Sequence, residues 1–280
     1  MSGLRLAAFA DEADKAFDGQ LKALTENDIA LLEIRGVDGT NISALSESDA
    51  KGIKAKMDLA NIAVWSIGSP IGKIEMTDDF EPHLDKFRYT LSLAHLLGAH
   101  RMRIFSFYHT DLPITDMLRD SVCERLSRLL EEAKGSGVIL CHENEKGIYG
   151  DVATRCLELH KRLPDLRAVF DPANFAACGE DVVRAWKTLC PYVEYLHVKD
   201  IDGEGTAVPA GEGACQMAEL LHCYAEAGGE VLTLEPHLAV FDGFAALEKP
   251  GEKTNIAHRY RSGREAFDVA VKALRQLLYS

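Results

Sequence analysis

Glu143, Asp171, His197 and Glu235 stand in short apolar runs, each at or near the end of its run. Glu143 closes Val138–Glu143, and Asp171 closes Leu166–Asp171 just before Pro172. His197 lies in Tyr195-Leu196-His197-Val198, and Glu235 ends Glu230–Glu235 before Pro236. Brought together, three carboxylates and one imidazole would hold a hard or borderline divalent cation. One such ion is expected, Mn²⁺ ahead of Mg²⁺, Co²⁺ or Zn²⁺. Singly, each residue has an ordinary explanation: a surface ion pair for an acid, a helix cap for Asp171, a hydrogen-bonded core residue for His197. Jointly they are harder to dismiss, because three carboxylates buried at one place are severely unfavourable without a cation. Glu145 shares the side-chain parity of Glu143 and competes with it; Glu143 is preferred because it sits closer to the strand proper.

Those residues need a scaffold that brings distant strand ends to one point. The chain supplies eight strand-like runs: Leu4–Ala10, Ile29–Arg35, Ala63–Ser69, Arg101–Phe107, Val138–Glu143, Leu166–Asp171, Val193–Val198 and Glu230–Glu235. Amphipathic stretches separate them: Glu81–Leu97, for example, puts Leu84, Phe87, Leu91 and Ala94 on one face. Eight strand-plus-helix units predict an α/β fold, a (β/α)₈ TIM barrel, whose chemistry lies at the C-terminal ends of the strands. A doubly wound open sheet competes, but no glycine fingerprint follows the first strand. One domain over residues 1–280 is expected. The long segment 238–256 after the last strand reads as a partial lid or as a tolerated surface insertion.

Composition narrows the function. The 280 residues carry a net charge of −13, which repels nucleic acid and anionic membrane surfaces. No apolar window reaches the length of a membrane span. The N-terminal apolar run is too short for a signal peptide and meets Asp11-Glu12 at once. Seven cysteines, an odd number without CxxC spacing, suit a reduced cytoplasmic protein and give no support to a closed zinc site. Most of these thiols are expected in the core.

The series Glu143-Asn144, Asp171-Pro172-Ala173-Asn174, His197-Val198-Lys199-Asp200 and Glu235-Pro236-His237 resembles the xylose isomerase-like TIM barrel family. Within it, the chain is most similar to the sugar phosphate isomerase/epimerase type, which includes ketohexose 3-epimerases, hydroxypyruvate isomerases and inosose dehydratases. Phe9-Ala10-Asp11-Glu12, Leu32-Glu33-Ile34-Arg35-Gly36 and Ser69-Pro70-Ile71-Gly72-Lys73 extend the likeness into the N-terminal half. The resemblance implies Glu143, Asp171, His197 and Glu235 as metal ligands, with Glu143 and Glu235 as the acid/base pair on opposite faces of the substrate. It implies a small carbohydrate substrate and, as in related barrels, self-association into a homo-oligomer.

Glu33, Arg35, Lys73, Asn174 and Lys199 are candidate substrate contacts, the three cations addressing an anionic group or pairing with acids such as Glu33 and Asp200. The amides of Gly211-Glu212-Gly213 could cradle phosphate. The chain departs from the family's sugar epimerases at Asn174, where they often carry a histidine; Asn cannot shuttle a proton near neutral pH. That opens the choice between a 1,2-isomerase, an epimerase for a different sugar acid and a metal-dependent dehydratase of a keto-inositol-like ketone. An abasic-site endonuclease, which shares the fold, would need more histidines and a basic groove. A non-catalytic sugar sensor would not need all four ligands.

Overall fold

Eight parallel strands close into a barrel, each neighbour in the ring being the next in the chain and the last pairing with the first. They are β1 (Arg5–Ala8), β2 (Leu31–Ile34), β3 (Ala63–Gly68), β4 (Arg101–Ile104), β5 (Ile139–Glu143), β6 (Arg167–Phe170), β7 (Val193–Val198) and β8 (Val231–Leu234). This computed structural model describes residues 3–241, 255–256 and 259–279. The (β/α)₈ barrel expected from eight repeats is the observed architecture.

The outer ring consists of α1 (Phe17–Glu26), α2 (Glu47–Leu59), α3 (Phe80–Leu97), α4 (Asp116–Ala133), α5 (Ala153–Arg162), α6 (Pro172–Ala177), α7 (Val182–Leu189), α8 (Met217–Glu226) and α9 (Gly263–Tyr279). Local chemistry sets their ends. Thr115 accepts a hydrogen bond from Leu118 N at the start of α4, and Gly98, at φ 73°, takes the left-handed position that closes α3. No helix among the described residues is long and apolar enough to cross a membrane.

The two faces of each strand divide the work. Leu140, Phe170, Leu196, Leu232 and Leu234 point outward into the main core under the helices. The opposite parity points into the barrel, where Ala7, Trp65, Cys141, Val169, Tyr195 and Val231 form a separate apolar plug. Two residues further along the same strands, the interior columns turn polar. Cys141 is followed by Glu143, Val169 by Asp171, Tyr195 by His197, and Val231 by Thr233 and then Glu235. The period of two in a strand therefore aims every site residue at the mouth.

Several expected boundaries shift by a few residues. The ladder of β6 stops at Phe170, so Asp171 is the N-cap of α6, with Pro172 in the first turn. α6 itself was not expected, and it gives β6 two following helices. A two-stranded hairpin, Gly36–Val37 with Thr40–Asn41, follows β2. Its turn residues Asp38 and Gly39 both take positive φ, 51° and 79°, as an Asp-Gly hairpin turn does.

Beyond β7, Asp200–Ile201 pairs antiparallel with Thr206–Val208, and Asn255–Ile256 adds to that pair in parallel. Of the expected lid 238–256, residues 242–254 lie outside the described residues. In its described first part, 238–241, the Phe241 ring centroid sits 4.7 Å from the Arg35 guanidinium, and the segment's end joins the loop after β7. All seven cysteines are free. Only Cys141, Cys156 and Cys215 are fully buried; the other four are half-buried, fewer core thiols than expected, because they lie on helix flanks and element ends.

Candidate metal centre

Glu143, Asp171, His197 and Glu235 converge. One ligand atom from each lies within 4.8 Å of the others, and all four residues are buried. His197 Nδ1 is 3.1 Å from Glu143 Oε1 and 3.1 Å from Glu235 Oε2. Glu143 Oε2, Asp171 Oδ2 and Glu235 Oε2 are buried and accept no well-directed hydrogen bond. Cations do lie within ion-pair range of them, Arg103 Nη1 at 3.2 Å from Glu143 Oε2 and Lys199 Nζ at 2.7 Å from Asp171 Oδ2. Those contacts supply charge without the direction a hydrogen bond needs. Three such oxygens beside one imidazole nitrogen suit a divalent ion.

The charge balance points the same way. Around the cluster six carboxylates are buried, those of Asp11, Glu12, Glu33, Glu143, Asp171 and Glu235, against three cations, Arg35, Arg103 and Lys199. Glu12 is the easiest of the six to neutralise. Burial first, with Glu235 and Asp11 adding to it against Arg35, pushes its carboxyl up to about 8. With Glu12 protonated and His197 neutral, as a metal ligand must be, the excess is two negative charges, which one divalent cation offsets. Glu143 and Glu235 stay ionised. Burial opposes this, but His197 and Arg103 hold Glu143 below the usual carboxylate range, and Lys199 and His197 do the same for Glu235.

The supporting residues fix the geometry. Glu33, buried one layer below, accepts from Tyr195 Oη at 2.7 Å and lies 3.2 Å from His197 Nε2. A proton on Nε2 shared with Glu33 leaves the Nδ1 lone pair facing Glu143 and Glu235, an arrangement typical of metal-binding histidines. Glu33 is thus placed to orient His197 from beneath. Glu33→Gln is expected to lower affinity for a divalent ion about 10–100-fold, read by competition with a chelator; unchanged affinity would remove Glu33 from this role. Asn144 clasps Asp171, accepting from its N–H and donating to its carbonyl, both at 2.9 Å. Asp171 Oδ1 accepts from Asn174 N at 3.0 Å, so the capping reading and the ligand reading are both satisfied, one by each oxygen. The Asn174 amide donates to Asn144 O.

The remaining candidates fall at defined distances. Arg35 forks onto Asp11 at 2.9 and 3.0 Å and reaches Glu235 Oε1 at 2.8 Å; its partners are not Glu33 or Asp200. Lys73 pairs with Glu145 at 2.7 Å, which keeps Glu145 outside the cluster. Lys199 pairs with Asp171 rather than Asp200. The expected phosphate cradle at Gly211-Glu212-Gly213 is corrected: Asp200 already accepts from the N–H groups of Ile201, Gly211, Gly213 and Cys215. Its carboxylate occupies the place an anion would take. His142 faces outward against His160, 6.0 Å between rings, on the helix side as its parity requires. Arg103, Asp11 and Glu12 were missed. Arg103 was recoverable, since it shares the interior parity of Arg101 on β4.

Solved structures share this fold at low identity. The IOLI protein with a binding zinc atom aligns with a TM-score of 0.77 at 14% identity, covering 98% of each chain. The structure of L-ribulose 3-epimerase gives 0.77 at 16% identity, over 100% of this chain and 95% of that one. The probable 3-DHS dehydratase AsbF from Bacillus anthracis gives 0.74 at 16% identity, over 97% of this chain and 98% of that one. At such identities the likeness is one of fold. No curated protein matches the sequence. The family described as xylose isomerase-like TIM barrel matches residues 22–275. Closed barrel, buried acid–histidine mouth and a family match over most of its length agree: the chain belongs to the xylose isomerase-like TIM barrel family.

Proposed function

We propose that the protein is a divalent-metal-dependent isomerase or epimerase that moves a proton alpha to a carbonyl in a small sugar, sugar phosphate or polyol-derived ketone. One observation carries the reading: two buried, ionised glutamates, Glu143 and Glu235, meet at a single histidine nitrogen in a cluster suited to a cation. An anionic carboxylate can accept a proton, and two at one site provide a base for each face of a planar carbon. Glu143, Asp171, His197 and Glu235 would hold the ion, with Mn²⁺ our first choice for three oxygens and one nitrogen. A bound divalent ion would polarise a carbonyl oxygen as a Lewis acid.

The chain's own groups do the rest. Glu143 and Glu235 take and return protons, Arg103 steadies the charge on Glu143, and Lys199 steadies that on Asp171. The closed barrel beneath the site keeps bulk water from its lower side. The zinc-containing and epimerase-named neighbours support the reading without deciding the substrate. The seven free cysteines support a reducing, cytoplasmic setting.

A second reading, a lyase on a keto-inositol-like ketone, draws on Lys199. Its buried ammonium, 2.7 Å from Asp171 Oδ2 and 3.9 Å from Glu235 Oε2, is a proton donor that a departing hydroxyl would need. The experiment is incubation of the Mn²⁺-loaded protein in D₂O with ketoses, sugar phosphates and keto-inositols. Deuterium entering at the alpha carbon with the carbon skeleton and oxygen count intact is expected; loss of water selects the lyase, and no exchange with any substrate defeats both.

A further inference from the structure

Beside the acid–histidine cluster, on the side of β2, β3 and β4, the barrel mouth holds a cavity of about 350 Å³. Five cations line it, Lys15, Arg35, Lys73, Lys86 and Arg103, and a single carboxylate, Asp11. The lining is rich in cations for a chain of net charge −13, although Arg35, Lys73 and Arg103 also pair with Asp11, Glu235, Glu145 and Glu143. Two of these cations are not fully satisfied. Arg103 is 2% exposed, and its Nε is buried without a hydrogen-bond partner. Lys86, an exposed residue where it lines the cavity, makes no ion pair among the described residues, which leaves its ammonium open to an anion.

We propose that this cavity is the subsite for an anionic group, a carboxylate or a phosphate, carried by the substrate at the end remote from its reacting carbonyl. Arg35 and Arg103 connect the two regions: they line the cavity while reaching Glu235 Oε1 at 2.8 Å and Glu143 Oε2 at 3.2 Å. A substrate held at the glutamate pair would extend past Arg35 and Arg103 into the cavity that Lys86 also lines. Its volume lies at the small end for a ligand pocket, which suits a compact charged metabolite. Charge in such a partly closed pocket acts with little screening, so the subsite selects sugar acids or sugar phosphates over neutral sugars.

The assignment of the bound anion as substrate rests on the function proposed above; the subsite itself does not. Calorimetric titration of chelator-treated protein at low ionic strength, with inorganic phosphate, glycerate and glycerol in separate arms, tests it. One phosphate or one glycerate per chain is expected, glycerol none, and the tighter arm names the anion's chemistry. Lys86→Gln is expected to weaken that binding about tenfold, the loss of one charge-assisted contact. Absence of anion binding in both arms, equal binding of glycerol, or binding indifferent to Lys86→Gln overturns the subsite. Lys86-dependent binding in a protein that turns over no sugar when metal-loaded upholds the subsite and defeats the proposed reaction instead.

Discussion

Glu235→Gln is expected to lower turnover by about three orders of magnitude at saturating Mn²⁺ while the barrel still folds. Positioned acid/base groups contribute about 10²–10⁴-fold, and Glu235 is placed both to exchange a proton and to face the ion. Gln keeps the shape but cannot accept a proton from carbon. Folding should survive because Arg35 retains its fork onto Asp11 at 2.9 and 3.0 Å, and because the mouth already holds more carboxylates than cations. Removing one negative charge there relieves repulsion instead of stranding a cation. The comparison is kcat of both proteins at metal saturation, beside their melting curves after chelator treatment. Near-normal kcat in the variant would end the role given to Glu235; an unfolded variant would show that the carboxylate is structural, and Glu143→Gln would then carry the test.

Mn²⁺ added to chelator-treated protein at about a thousand times its Kd should stabilise it by about 4 kcal/mol, raising Tm by about 10 °C for a chain of this size. His197→Ala should abolish the shift. The pH dependence has a definite sign. In the metal-free protein burial works against the imidazolium, but Glu143, Glu33 and Glu235 outweigh it and hold the His197 pKa well above its usual value. Below that raised value His197 carries a proton that the ion must displace, because only the neutral nitrogen is a ligand. Affinity should therefore climb as pH rises, about tenfold per unit for one displaced proton, and level off above it. Calorimetry in two buffers of different ionisation enthalpy counts the proton released. A Kd independent of pH between about 5 and 7, or no released proton, contradicts this picture of His197.

Much of the fold could be read from the chain because its signal is local. Eight apolar runs with amphipathic stretches between them state the repeat, and Pro172 and Pro236 stand just beyond the strand ends at Phe170 and Leu234. What escaped was built from short-range turns: α6, only six residues long, and the pairing of Asn255–Ile256 onto the loop after β7. Such pieces have too few residues for a periodic pattern and depend on partners distant in sequence.

The residue types and their parity determined that acids and a histidine would leave the ends of strands on the inner face. That follows from the two-residue period of a strand and needs no tertiary information. The closed barrel alone decided who meets whom: that Arg35 would be held by Asp11 and Glu235 and not by its sequence neighbour Glu33, that Asp200 would fill the amides of its own loop, and that Lys86 and Arg103 would line one cavity. Pairing among buried charges depends on distances of a few ångströms between residues far apart in the chain, and those distances exist only once the eighth strand has closed on the first.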